Sequence, residues 1–395
     1  MEFYRERRIV SHRRPLTSAA WCSLGLACAT LLLCATIGRT APPTGDQRPA
    51  DFRSAQPGYR YEFPRDHGSH DEFRTEWWYY TGHLDTAEGR RFGYELTFFR
   101  RGIEPNQVRT HPSRWSIDQL YLAHFAVTDV TGQRFIFHDR VSRAGIGKAG
   151  ADHDRLHVWL DRWRAEMAPG MAQHRLEAKA DGAALSLTLN PAKPLVVHGE
   201  QGISKKGAAA GQASHYYSFT NLSTTGTLTL GTQTFSVIGA SWMDHEFGSA
   251  DLSPDLVGWD WFSIQLADHR ELMIYRLRRS DGTSDAASSG TLVEADGRTK
   301  HLSGDDIRLT PLTTWTSPAS KATYPQQWRV AIPSLDLSLD LTPVLADQEL
   351  RTGRSTQVTY WEGAIDVVGT ERDQALKGRG YIEMTGYAER IKQKL

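Results

Sequence analysis

The stretch Ser241-Trp-Met-Asp-His-Glu-Phe-Gly-Ser249 sets an imidazole between two carboxylates, and Gly258-Trp-Asp-Trp-Phe262 follows shortly after it. An extended backbone alternates its side chains, so Asp244 and Glu246 share one face and His245 and Phe247 the other. Trp259 and Trp261 likewise share a face, opposite Asp260. A titratable imidazole beside a wall of indoles predicts an apolar pocket with one proton-handling group. The same residues also describe a histidine packed under aromatics and hydrogen-bonded to a neighbour, and composition does not separate the two.

Other residues able to do chemistry are scattered. His67 and His70 lie three apart beside Asp66, Asp71 and Glu72. No helix is predicted there to present both rings together, so a turn feeding a strand is expected rather than a metal site. Glu76 precedes Trp77, Trp78, Tyr79 and Tyr80; a carboxylate in that setting either pairs with an arginine, for which Arg74 or Arg101 would serve, or stays protonated. Pairing is the expectation. His124 shares an alternating strand with Leu120, Leu122 and Ala126, as a satisfied core group or a ligand-facing one. Tyr275 is predicted on the strand beside Trp259–Leu266, with its hydroxyl directed to the cavity of His245. Tyr360-Trp-Glu-Gly363 and Gly378–Tyr387 are expected to be closing strands whose aromatics pack. The chain has no Gly-x-Ser-x-Gly elbow, phosphate loop or dinucleotide fingerprint, which disfavours an ordinary serine hydrolase and predicts neither cofactor nor metal.

The elements that must position these groups are strands. Short aromatic, Leu, Thr and Val runs are separated by turn pairs such as Thr131-Gly132, Asp181-Gly182, Asp281-Gly282 and Asp296-Gly297. Helical periodicity is absent apart from a short candidate near Thr110–Trp115, and Gly202–Gly211 is expected to be a mobile loop. An all-β barrel or sandwich follows. Trp77-Trp-Tyr-Tyr-Thr-Gly-His-Leu84 aligns without gaps to Trp259-Asp-Trp-Phe-Ser-Ile-Gln-Leu266, and each is followed by a turn and a returning strand ending in Arg-Arg. Duplication of a β-rich half explains this, with halves expected at 61–228 and 229–391.

The chain of 395 residues carries 46 basic and 46 acidic side chains. Six arginines and two glutamates lie in 1–41, which leaves 42–395 with a net charge of −4 and argues against nucleic acid as a partner. Residues 1–41 have an Arg-rich start and an apolar run from Ala19 to Ile37, the pattern of a signal peptide or membrane anchor, and 42–60 resemble a linker. Cys22, Cys28 and Cys34 all lie in that segment, so the exported body is expected to fold without disulfides. A periplasmic or cell-envelope location follows.

The residues His67–Gly82, Ala123–Asp129, Asp244–Ser249 and Gly258–Phe262 resemble the carotenoid 1,2-hydratase (hydroxyneurosporene synthase)-like family of secreted lipocalin-like proteins, often labelled predicted secreted hydrolases. The resemblance implies two lipocalin-like antiparallel β-barrel domains packed together, with an apolar cavity near their junction. Its hydratases add water to an isolated double bond without a cofactor. His245 matches the essential histidine of that family and Tyr275 its tyrosine. The chain departs from the pattern at Phe247, where Trp is expected, and at Leu277, where an acid is expected. Protonation would then fall to His245, Asp244 or Glu246, with Glu76, Trp77, Trp78, Tyr79, His124, Phe247, Trp259 and Trp261 binding a hydrophobic small molecule or lipid. Two alternatives stand beside this enzyme: a carrier shuttling such a molecule alongside a membrane-associated transport system, and a secreted hydrolase.

Overall fold

The computed structural model describes residues 51–103, 117–168, 170–200, 202–209 and 211–391. The expected signal or anchor, most of the linker and the helix candidate at Thr110–Trp115 lie outside them. Residues 48–395 form one compact unit. Among the described residues, strands dominate, the helices are three 3-10 turns, and no helix is long and apolar enough to cross a membrane.

Two large antiparallel sheets, of 13 and 10 strands, share one plan. In the first, the opening strand Thr75–Asp85 pairs with both the returning strand Arg91–Gly102 and the closing strand Gln233–Gly248, which curls the sheet into a nearly closed barrel. In the second, Leu256–Leu266 pairs in the same way with Glu271–Arg279 and Gln374–Met384. The aligned Trp77–Leu84 and Trp259–Leu266 are thus the opening strands of two similar units. Pairing first strand with last removes the exposed edge at the point of closure.

The change of sheet falls between Gly248 and Leu256, not at the expected 228/229 boundary. The 228/229 position lies beside a hairpin tip: Ala213–Leu230 and Gln233–Gly248 pair through Leu230 and Gln233. A tight turn marks a reversal within a sheet as readily as the end of a domain. The expected loop at Gly202–Gly211 also contributes a strand, Ile203–Lys205, which pairs with the start of Ala213–Leu230 at Ala213, Ser214 and His215.

Alternation sorts the side chains. Trp78, Tyr80, Tyr94, Leu96 and Met243 fill the first barrel, and Phe262, Ile264, Leu272 and Trp361 fill the second. The intervening residues point outward yet remain buried, because the outer faces of the two sheets pack together through Tyr79, Tyr216, Trp242, Trp261, Tyr275 and Tyr381. Gly93 permits that approach, since a side chain there would collide with the Tyr381 hydroxyl.

Candidate functional site

Two buried polar clusters lie back to back across the first sheet. The inner one surrounds Glu76, which is 0% exposed. Register places Arg100 directly opposite Glu76, and its Nε donates to Glu76 Oε2 at 2.9 Å. The backbone N–H of His70 donates to the same oxygen at 2.9 Å, while Glu76 Oε1 accepts from His70 Nδ1 at 2.7 Å and His245 Nε2 at 2.9 Å. Burial would raise Glu76, but Arg100, His70 and His245 outweigh it and hold the carboxylate well below its ordinary range. Burial disfavours the charged form of His70 as well, here by lowering it, yet Glu76 and Asp66 raise it. His245 is lowered by burial and stays neutral.

That protonation pattern orders the hydrogen bonds. His245, with its Nε2–H committed to Glu76, accepts from the Tyr217 hydroxyl at Nδ1, 2.9 Å away, and His67 Nδ1 lies 2.7 Å from the same hydroxyl. Trp78 stacks on His245 at 4.9 Å and Phe247 on His70 at 3.6 Å. One ligand atom from each of His70, Glu76 and His245 lies within 4.8 Å of the others, as a metal site requires. Ligand atoms around a tetrahedral zinc, however, sit roughly 3.4 Å apart, whereas Glu76 meets both rings at hydrogen-bond distance with Arg100 already on its other oxygen. The arrangement fits a hydrogen-bonded ion network.

The outer cluster lies in the seam between the barrels. On the first sheet a cross-strand row runs Ser218, Asp244, Tyr79, Thr97, His124. On the second a row runs Tyr275, Trp261, Glu383, Glu362. Glu362 and Glu383 are therefore directly opposed on paired strands, where two negative charges would repel. Tyr79 donates to Glu362 Oε1 at 2.5 Å, bridging the two sheets. Glu95 accepts from Thr97 at 3.0 Å and from Tyr360 at 3.2 Å, and Tyr360 also meets His124 Nδ1 at 2.7 Å. Trp259 Nε1 donates to Glu383 at 2.8 Å, and Trp242 Nε1 donates to Asp244 at 2.6 Å. Glu95 Oε2 and Glu362 Oε2 have no hydrogen-bond partner among the described residues.

Burial shifts these acids toward the protonated form. Burial pushes Glu95 up to about 8 and Asp244 and Glu383 to about 7. Glu362 goes well above its ordinary range, through burial first and then through Glu95 and Glu383. One ammonium stands at the rim: Lys206 Nζ is 2.6 Å from Glu246 Oε1 and 5.0 Å from the Tyr275 ring centre. Burial would lower Lys206, but Glu246 and Tyr275 raise it. Trp77, Trp259 and Glu383 are half-buried, which places the accessible margin of the seam beside them.

Alternation thus divides the expected site residues. Glu76, Trp78, His245 and Phe247 belong to the inner network, while Trp77, Tyr79, His124, Asp244, Glu246, Trp259, Trp261 and Tyr275 meet in the seam. His245 joins neither Tyr275 nor the indoles of Trp259 and Trp261, because it points to the opposite face of its strand. The Tyr275 hydroxyl donates instead to the Lys205 carbonyl at 3.2 Å. Glu76 pairs with Arg100 and not with Arg74 or Arg101. The acid missing at Leu277 has a counterpart two strands away, where Glu383 shares the row of Tyr275. Glu95, Glu362, Glu383 and Lys206 were not anticipated. The repeated spacing Tyr360-x-Glu362 and Tyr381-x-Glu383, which puts tyrosine and acid on one face, was the available signal. Two surface cavities, of about 340 Å³ beside Phe137 and Arg351 and about 520 Å³ beside Arg140 and Lys179, lie elsewhere.

Comparison with known proteins identifies the scaffold. The crystal structure of an AttH candidate from Nitrosomonas europaea is 35% identical, with a TM-score of 0.77 over 85% of this chain and 99% of that one. Kievitone hydratase from Nectria haematococca shares the fold at 15% identity, with a TM-score of 0.64 over 87% of this chain and 98% of that one. CghA does so at 15% identity, with a TM-score of 0.52 over 80% of this chain and 90% of that one. No functionally curated sequence matches. A family model described as AttH-like matches residues 54–387, and the chain belongs to the AttH-like family.

Proposed function

We propose that the chain is a cofactor-independent, hydratase-type enzyme that protonates a carbon–carbon double bond of a hydrophobic, isoprenoid-like molecule in the seam, with Glu383 as the acid. The observation that carries this is the opposed pair Glu362 and Glu383, two carboxyl groups facing each other among aromatic rings and raised toward the protonated form. Alkene hydration needs a confined acid, an electron-rich surface for the cation and access for one water. Glu383 gives its proton to one alkene carbon; a C–H bond forms and the π bond breaks. The faces of Trp77, Trp259, Trp261 and Tyr275 surround the resulting tertiary cation. Water then forms the C–O bond and returns a proton to the Glu383 carboxylate, which restores the acid. His245 is a positioning residue here, holding the closing strand to Glu76. Hydration is also the chemistry named for one structural relative, kievitone hydratase. The N-terminal signal pattern supports export to the periplasm or cell envelope.

The test incubates residues 48–395 with acyclic isoprenoid alkenes in heavy-oxygen water, followed by mass spectrometry. A product gaining one labelled water is expected, with Glu383→Gln slower by roughly a hundredfold or more. Alkene recovered unchanged, and retained equally by both proteins, overturns the enzyme and favours a non-catalytic carrier.

A further inference from the structure

The first sheet does not close completely: the strand Arg134–Arg143 and the short strand Ala149–Ala151 end its hydrogen-bonded path. Over that gap lies the cavity of about 520 Å³, lined by Arg140, Gly147, Lys148, Asp161, Arg162 and Lys179. Four cations there face one carboxylate. Asp161 pairs with Arg140 at 3.5 Å, and the Arg140 guanidinium also lies 4.2 Å over the Trp163 ring. Lys148, Arg162 and Lys179 have no ion-pair partner among the described residues. This is a local reversal of sign, because residues 42–395 carry a net charge of −4.

Beside the cations the surface is apolar where solvent exposure would favour polar residues. Ile146, next to the cavity-lining Gly147, is 68% exposed. Ile146 also adopts a left-handed backbone, φ 52°, between Gly145 and Gly147. A β-branched residue is strained in that region, so folding alone gives no reason for isoleucine at this tip. The half-buried Trp159 braces the loop by donating to the Gly147 carbonyl at 3.2 Å.

We infer that this open side of the first barrel is a docking surface for an anionic membrane. The exposed isoleucine suits shallow entry among the headgroups, the indole suits the interface, and three cations without an ion-pair partner suit anionic lipid phosphates. Long-range attraction comes from the patch, since the acidic body opposes it.

Co-sedimentation of residues 48–395 with phosphatidylcholine vesicles, with and without roughly a third phosphatidylglycerol, tests the surface. The protein is expected to pellet with the anionic vesicles alone, and less so as salt rises. Lys148→Glu with Arg162→Glu should weaken binding roughly tenfold or more, and Ile146→Ser should weaken it several-fold while leaving the salt dependence in place. Lys300→Glu with Arg308→Glu, on the second sheet, should retain full binding. Equal pelleting with neutral vesicles, equal loss in the control variant, or displacement by millimolar inorganic phosphate would each overturn the inference. The last result would point to a soluble anion.

Discussion

Glu76 and Glu362 are buried to almost the same depth, 0% and 1% exposed, yet they carry opposite protonation. Glu76 receives Arg100, two imidazole nitrogens and a backbone N–H across its two oxygens. Glu362 receives the Tyr79 hydroxyl on one oxygen, has none on the other, and faces Glu383 across the strand. Burial sets the cost of charge, and the partners decide whether the cost is met. The inside of the first barrel therefore keeps fixed charges as structure, whereas the seam keeps exchangeable protons. Chemistry that consumes and returns a proton belongs in the second environment.

The sharpest way to break this contrast is Arg100→Met, which takes the guanidinium from Glu76 and leaves its buried charge to the imidazoles and one backbone N–H. A loss of about 3–5 kcal/mol at pH 7 is expected, read from urea unfolding. Glu76 is depressed in the folded state, so its stabilising contribution is present above the unfolded value near 4.3 and fades as pH falls through the folded one. The variant should accordingly lose less at pH 4 than at pH 7. An equal loss at both would mean that Arg100 acts through packing and not through charge.

The seam predicts the reverse slope. Glu95, Asp244 and Glu383 are raised, so the folded state holds more protons than the unfolded chain between pH 4 and 8, and their contribution declines as pH climbs through about 7 to 8. Thermal melts should show falling stability from pH 5 to pH 8. Glu95→Gln keeps the acceptor for Thr97 and Tyr360 but needs no proton, so it should stabilise the protein by about 2 kcal/mol at pH 8 and little at pH 5. A parallel offset at both pH values would remove Glu95 from the titrating set.

Much of this contrast was written in local sequence, and its decisive part was not. Period-two alternation separated Asp244 and Glu246 from His245 and Phe247 correctly, and the repeated aromatic strand located both barrel-opening strands. Alternation names two faces without saying what covers each, and here both faces are buried. His245 was accordingly assigned to the indoles of the opposite side. Partners set by register were out of reach for the same reason: Arg100 lies opposite Glu76, whereas Arg101 lies opposite Thr75. Glu362 and Glu383 are about twenty residues apart in sequence and meet only when the last two strands pair. The all-β, barrel-type scaffold was legible through its motifs; the protonation of its acids depended on contacts between strands.

The smallest expected effect separates the two clusters most finely. Trp259 is half-exposed, so Trp259→Phe removes little packing, but it deletes the indole N–H that donates to Glu383 at 2.8 Å. A donor to a carboxylate favours its charged form, and losing that donor should move the Glu383 titration upward from about 7 by roughly half a unit, or about 0.7 kcal/mol. Carbon-13 NMR of the glutamate carboxyls, assigned with Glu383→Gln, measures the shift directly. Trp78→Phe is the control: its indole N–H donates to the His67 carbonyl at 3.1 Å and not to a carboxylate, so the Glu383 resonance should titrate unchanged. If both variants move Glu383 equally, the two clusters are electrostatically one, and the division between structural charge and available protons fails.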